Sequence, residues 1–244
     1  MKEGIFQFRN FYVSHSRSTF KVGTDAILLG GCIGHNRILN KNETNTILDI
    51  GCGCGVLSLL SAQFFTHANI MSIDIDRQSV EETIENFSRS PWNNRLSAEC
   101  ISLQQFADNQ ADNLKFNLII SNPPFFENSL KSASKTKAIS RHTDTLTAND
   151  IASCVSRLIS DDGYFCCIYP VETASNLKMR FIDEQIYCID EICVYSKKGN
   201  IKPERTIMTF SKKLVCKTIE NVYLLDEEGN ASDWYVKITS DILP

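Results

Sequence analysis

From residue 45 onward, short apolar runs alternate with stretches whose apolar residues recur at helical spacing. Residues 46–50, Thr-Ile-Leu-Asp-Ile, read as a buried strand and residues 56–65 as a helix. A second strand is expected at 69–74, followed over 77–89 by a polar helix with Val80, Ile84 and Phe87 as its apolar stripe. Residues 98–103 predict a third strand, 116–121 a fourth and 163–169 a fifth. A helix over 148–160, with Thr147 as its N-cap, separates the last two. This βαβ rhythm predicts a parallel sheet covered by helices on both faces.

Beyond a helix around 171–184 the pattern changes. Residues 186–195 and 205–213 are long strand-like runs joined through Lys197-Lys198-Gly199-Asn200, with Pro203 beyond. That is a hairpin signal and predicts an antiparallel pair at the sheet edge. A strand at 221–225, a turn at Glu228-Gly229-Asn230 and a closing amphipathic segment predict a C-terminal hairpin and helix. No internal repeat or low-complexity linker divides the 244 residues. The expected organisation is one domain: an N-terminal extension over 1–40, a core over 41–215, and the hairpin and helix over 216–244.

Composition narrows the class. With 43% hydrophobic and 22% charged residues the chain reads as a soluble globular protein able to bury a core. No stretch approaches the ~20 consecutive apolar residues of a membrane span, so no membrane association is expected. The N-terminus lacks the apolar block of a signal peptide. Ten cysteines are scattered, without CxxC pairs or zinc spacing, which predicts reduced thiols in a cytoplasmic protein and no metal site. A net charge of −4 argues against nonspecific coating of nucleic acid but permits local basic patches. Two exist: Lys131, Lys135, Lys137, Arg141 and His142, and Lys197, Lys198, Lys202 and Arg205. Solvated loops of ordinary charge account for either patch equally well.

Two stretches carry chemistry. The first is DIGCGCG, residues 49–55, between the first core strand and its helix. Glycines at 51, 53 and 55 let the backbone turn sharply and bring N–H groups close to a ligand, while Cys52 and Cys54 fill small-residue positions. Asp74, ending the next strand, stands roughly ~20 residues on, where a ribose-binding carboxylate is expected. Asp76 is the alternative ribose ligand. The second stretch is IISNPPF, residues 119–125, at the end of the fourth core strand. Pro123 restricts Asn122 to extended backbone, and Pro124 fixes the next φ, so the Asn122 amide and the Pro123 carbonyl are held as two acceptors. Phe125 offers a face for a planar ring.

The glycine loop, GxGxG after Asp49, resembles the first motif of class I S-adenosyl-L-methionine-dependent methyltransferases, and NPPF resembles the motif of their members that act on planar amino groups. The resemblance implies an α/β Rossmann-like fold with a mostly parallel seven-stranded sheet and an antiparallel edge hairpin. It further implies that Asp49, Gly51, Gly53 and Gly55 pass beside the amino acid part of the cofactor and that Asp74 takes its ribose. Asn122, Pro123, Pro124 and Phe125 are the implied catalytic residues, Asn122 also meeting the cofactor.

FKVGTDAILLG at 20–30, NFSRSPWNNRL at 86–96, SRHTDTLT at 140–147 and the C-terminal VYLLDEEGNASDWYVKITSDIL extend the likeness. Together they resemble the family of bacterial tRNA(Val) adenine-37 N6-methyltransferases. Membership implies N6-methylation of the adenosine beside the anticodon, in the anticodon loop of tRNA(Val); the sequence leaves the oligomeric state open, with a monomer favoured. Lys21, Thr24 and Asp25 then reach the methionine end of the cofactor, although Thr24 or Asp25 also suits a helix cap. Phe125, Lys137, Arg141 and His142 become candidate RNA contacts, with helix capping as the alternative for the last two. The same tetrapeptide serves guanine-N2 methylation of rRNA and glutamine methylation of release factors, the alternative substrates.

Two departures stand out. Cysteines replace the threonines common between the glycines, and Ser102 stands where many relatives carry an Asp toward the cofactor's adenine, with Gln104 as the compensating residue.

Overall fold

The structure, a computed structural model, describes residues 4–110, 114–123 and 146–244. An N-terminal antiparallel pair, β1 (Ile5–Gln7) and β2 (Tyr12–Ser14), precedes helix α1 (Thr24–His35). The core then runs β3 (Thr46–Ile50), α2 (Val56–Phe64), β4 (Asn69–Asp74), α3 (Arg77–Ser88), β5 (Leu96–Cys100), α4 (Leu103–Gln110), β6 (Phe116–Ser121), α5 (Ala148–Leu158), β7 (Ile159–Pro170) and α6 (Val171–Asp183). Strands β8 (Tyr187–Lys197), β9 (Arg205–Ser211) and β10 (Thr218–Leu225) and helix α7 (Asp233–Thr239) complete it.

One sheet of eight strands has the order β10-β8-β9-β7-β6-β3-β4-β5. Strands β3 to β7 pair in parallel, whereas β9 lies antiparallel between β7 and β8. The mostly parallel sheet and its antiparallel pair are those the alternation predicts. Central strands read as unbroken apolar runs because helices cover both faces. Leu118, Ile119 and Ile120 are wholly buried, alternating between two core clusters. One cluster gathers α1, α2 and α7, the other α4, α5 and α6.

Three expectations change. The third core strand ends at Cys100, because Ser102 opens α4 by accepting from the Gln105 N–H at 3.2 Å. Leu103, Phe106 and Ala107 then form that helix's buried face. The C-terminal strand does not form a hairpin of its own: β10 pairs in parallel with β8 and adds an eighth strand where seven were expected. After the turn the chain returns to it through one bridge, Leu225 to Ala231, and through Ser232, which donates to the Leu224 and Tyr223 carbonyls and caps α7. The third change concerns α3. Its buried face is Ser79, Val80, Glu82, Thr83, Asn86 and Phe87, and Ile84, expected inside, is 49% exposed.

Candidate active site at the strand ends

The chain leaves β3 toward β4 and β5 on one side and returns through β6 and β7 on the other. The reversal opens a crevice at the carboxyl ends of β3 and β6, where open α/β sheets receive ligands. Ile50 and Ser121 are register partners there, and the Ser121 hydroxyl donates to the Ile50 carbonyl at 2.9 Å. The glycine loop and Asn122 therefore emerge side by side.

Gly51 and Gly53 have φ of 71° and 55°, the left-handed region that favours glycine. A Cβ on either would meet no atom within 4 Å, so both face open space. Gly55 differs: its Cβ would lie 2.8 Å from the Phe87 ring and 2.9 Å from the Thr83 methyl, so it serves close packing. Helix α3 holds the loop from behind. The Thr83 hydroxyl donates to the Gly53 carbonyl at 2.7 Å, and the Asn86 amide donates to the Cys54 carbonyl at 2.9 Å. Cys52 and Cys54 are buried, and burial pushes the Cys54 thiol up to about 12, leaving both as packing groups.

Asp74 ends β4 at the rim of this loop. Its Oδ2 accepts from the Gly53 N–H and its Oδ1 from the Asp76 N–H, both at 2.9 Å. Burial raises its pKa, tempered by those two backbone donors. Each oxygen keeps a second lone pair, the pair of acceptors that a vicinal diol requires. Asp76 is spent otherwise. It caps α3 by accepting from Gln78 N–H, and it takes the hydroxyls of Ser79 at 2.7 Å and Thr19 at 3.1 Å. Burial alone would raise its pKa, yet these donors bring it below the ordinary value.

Asp49, inside β3, has no exposed surface. Its Oδ2 accepts from Ser58 Oγ at 2.6 Å, and Ser58 in turn meets Ser72 Oγ at 2.7 Å. The other oxygen is buried without a partner among the described residues. Burial lifts the carboxyl to about 7, with the Ser58 hydrogen bond opposing. An open glycine cradle, a two-acceptor carboxylate at the rim and an orphaned buried oxygen beneath suit an adenosine-type cofactor with a polar tail.

The remaining candidates are distributed. Ser102 is the α4 cap and half-buried Gln104 lies in the first turn of that helix, which follows β5 beyond Asp74. Asn122 is half-buried and without a hydrogen-bond partner among the described residues, whereas Pro123 is buried. Lys21 is exposed just before α1. Gly23, not Thr24 or Asp25, occupies the α1 cap position. Thr24 and Asp25 line a cavity of about 250 Å3 with Ser196 of β8, Glu204, Arg205 of β9 and Leu224 of β10. Asp25 there accepts from Arg205 Nε at 2.9 Å. Thus the structure gathers Asp49, Gly51, Gly53, Asp74 and Asn122 at adjacent strand ends and puts Thr24 and Asp25 with β8, β9 and β10. Pro124, Phe125, Lys137, Arg141 and His142 lie outside the described residues.

The second basic patch is laced with ion pairs: Lys198 to Glu227 at 2.9 Å, Lys202 to Glu172 at 2.6 Å, and Arg205 to Asp25. The solvated alternative describes it better. No cluster of His, Cys, Asp and Glu able to hold a metal occurs among the described residues, and no helix among them is long and apolar enough to cross a membrane. Sequence reasoning missed Ser58, Ser72, Glu82, Thr83 and Asn86. A signal existed for α3, since Ser79, Glu82, Thr83 and Asn86 recur at the helical period.

A glycine loop and a ribose-type carboxylate on a doubly wound sheet define a class I methyltransferase architecture. Residues 34–150 match the methyltransferase small domain family. In fold, the chain is similar to a predicted O-methyltransferase from Agrobacterium tumefaciens, with a TM-score of 0.65 and 13% identity over 89% of this chain and 96% of that one. In sequence, it is 32% identical over 242 residues to the tRNA1(Val) (adenine(37)-N6)-methyltransferase of Bacteroides fragilis, covering 99% of this chain and 98% of that protein. The like-named enzyme of Pseudoalteromonas atlantica is 37% identical over 81% of this chain and 76% of its own length. The chain belongs to the tRNA1(Val) (adenine(37)-N6)-methyltransferase family.

Proposed function

We propose that the protein transfers a methyl group from S-adenosyl-L-methionine to the exocyclic N6 of adenosine 37 in the anticodon loop of tRNA(Val). The observation that carries this reading is the Ile50–Ser121 register, which sets Asn122 beside the open glycine loop. When bound, S-adenosyl-L-methionine supplies an electrophilic methyl on its sulfonium. Gly51 and Gly53 leave room for its amino acid part, Asp74 accepts from both ribose hydroxyls, and Ser102 or Gln104 meets the adenine.

The acceptor nitrogen is the chemical difficulty, since its lone pair is delocalised into the ring. Asn122 Oδ1 and the Pro123 carbonyl accept its two N–H groups and so favour a more tetrahedral nitrogen whose lone pair is free to attack. Pro123 keeps Asn122 extended, which fixes the direction of both acceptors. Phe125 stacks on the base after it leaves its neighbours, at a smaller cost in a loop than in a duplex. Alignment within ~3–3.5 Å then supplies most of the rate enhancement. No strong base is required, because the methylated amine is acidic and loses its proton to water.

Purified protein, labelled S-adenosyl-L-methionine and tRNA from cells lacking the modification should give N6-methyladenosine at position 37 of tRNA(Val). Label in rRNA, or in a release factor, would instead place the enzyme among the other methyltransferases that share the tetrapeptide.

A further inference from the structure

Glu82 lies on α3 with no exposed surface. A buried carboxylate ordinarily has a cationic partner. Here the Arg17 guanidinium turns instead to Glu85 at 2.7 Å. The partners of Glu82 are neutral donors from one short stretch some 65 residues upstream in sequence. Oε1 accepts from Ser14 Oγ at 3.0 Å, Ser16 N–H at 2.8 Å and Ser16 Oγ at 3.1 Å. Oε2 accepts from Ser18 N–H at 2.8 Å and Ser18 Oγ at 2.6 Å, and the Arg17 N–H is shared between both oxygens at 3.2 Å. Burial alone would raise this carboxyl, but the Ser18 and other donors bring it down to about 2.

Three successive N–H groups, 16 to 18, converge on one anion, an arrangement in which the anion dictates the backbone path. Asn86, one turn further along α3, adds a second clasp: it accepts from Ser14 N–H at 2.9 Å and donates to the Ser14 carbonyl at 2.8 Å. The stretch then reaches the site, since Thr19 donates to Asp76, whose own N–H donates to Asp74. Phe20 and Lys21 follow directly, both exposed.

We infer that Glu82 is a positioning residue for the cofactor: its carboxylate templates residues 14–19 as a wall beside Asp74, while Thr83 and Asn86 on the same helix face hold the glycine loop opposite. This inference rests on the cofactor assigned above. Nothing in it requires Glu82 to touch a ligand. The wall and the loop share one helical support, so their spacing is fixed by α3 and not by the bound molecule.

Glu82→Gln tests this, because the amide keeps the shape but turns an NH2 toward N–H groups that need an acceptor. Calorimetry with S-adenosylhomocysteine should show Kd raised about tenfold, the equivalent of one lost charge-assisted hydrogen-bond set. Hydrogen exchange should rise at residues 14–19, and the KM for S-adenosyl-L-methionine should rise while kcat at saturation is retained. A merely structural role would lower the melting temperature and leave Kd unchanged at temperatures well below it; that result overturns the inference. Ser18→Ala removes one hydroxyl and keeps the carboxylate, and it should raise Kd about threefold. If Glu82→Gln fails to fold, an unchanged Kd in Ser18→Ala overturns the inference by itself. A wild-type chain that binds no S-adenosylhomocysteine overturns the proposed function and this inference together, whereas wild-type binding with unaltered variants overturns the inference alone.

Discussion

The hydroxyl of Ser121 reaches across from β6 to the carbonyl oxygen of Ile50 on β3, and both residues are buried. One strand end carries the glycine loop and the other Asn122, so beside the β3–β6 ladder this hydrogen bond joins the two halves of the proposed reaction. Ser121→Ala should cost about 1 kcal/mol of stability. It should lower turnover about tenfold through misplacement of Asn122, with cofactor affinity little changed. Rate measurements at saturating cofactor, beside calorimetric Kd values, separate the two effects.

Asn122→Ala removes the proposed acceptor itself. Turnover should fall by about a hundredfold or more, the scale of losing one preorganised polar group at a reacting centre. Binding of S-adenosylhomocysteine should stay within about twofold, because the ribose and glycine-loop contacts are untouched. Full activity in this variant would refute the proposed mechanism.

The loop glycines should divide into two kinds. Gly53→Ala places a methyl in open space at a left-handed φ, costing about 1 kcal/mol of stability in the free protein but displacing the cofactor. Gly55→Ala drives a methyl into Phe87 and Thr83 and should lower the melting temperature far more. Thermal unfolding with and without S-adenosylhomocysteine distinguishes them: only Gly53→Ala should lose the ligand-induced rise out of proportion to its own destabilisation.

Asp74 and Asp76 stand two residues apart with different duties. Asp74→Asn should weaken cofactor binding by about tenfold or more, since an amide cannot accept from both hydroxyls with both ends. Asp76→Ala removes a helix cap and should cost about 1 kcal/mol of stability. Any weakening of cofactor binding in Asp76→Ala should stay smaller than that in Asp74→Asn.

Asp49 predicts a pH dependence of stability. Its folded pKa of about 7 lies above the ordinary 3.8, so the folded state holds the proton more tightly than the unfolded chain. Stability should therefore be greatest below the ordinary value, fall as pH rises from about 4 to 7, and level off above. The full difference is roughly 4 kcal/mol at about 1.4 kcal/mol per pH unit. Subtracting the unfolding profile of Asp49→Asn from that of the wild type isolates this slope from His35, whose pKa burial lowers and whose effect has the opposite sign. Profiles that differ only by a constant would show Asp49 to be ionised throughout.

The sequence made β3, β4, β6 and the inner part of β7 legible because strands inside a parallel sheet are largely apolar. The pattern places β5 too late, because its edge position leaves Ser97, Glu99 and Cys100 exposed. The glycine loop was legible from its place between a strand and a helix, but the packing duty of Gly55 against Phe87 and Thr83 was not. The inward face of α3 was legible only in part, since Val80 and Phe87 are buried as their spacing predicts. Periodicity pointed to Val80, Ile84 and Phe87, yet Ile84 faces solvent and Glu82 faces inward. The burial of Glu82 follows from donors at 14–18, outside any local window of the sequence. The destination of β10 was hidden likewise, since its alternation suits a hairpin or a sheet edge, and only the free edge of β8 decides.

The eighth strand also equips the molecule as a spectroscopic ruler. Cys100 closes β5 at one margin of the sheet, Cys216 precedes β10 at the other, and these two alone of the ten thiols are exposed. Burial pushes thiols such as Cys154 and Cys166 up to about 11 and 12, so a maleimide at neutral pH selects the outer pair. Seven inter-strand steps span about 34 Å of sheet width between the two margins, within the range of energy transfer between dyes. The width of the sheet, and any change in it when ligand arrives, is thereby measurable without introducing a single foreign residue.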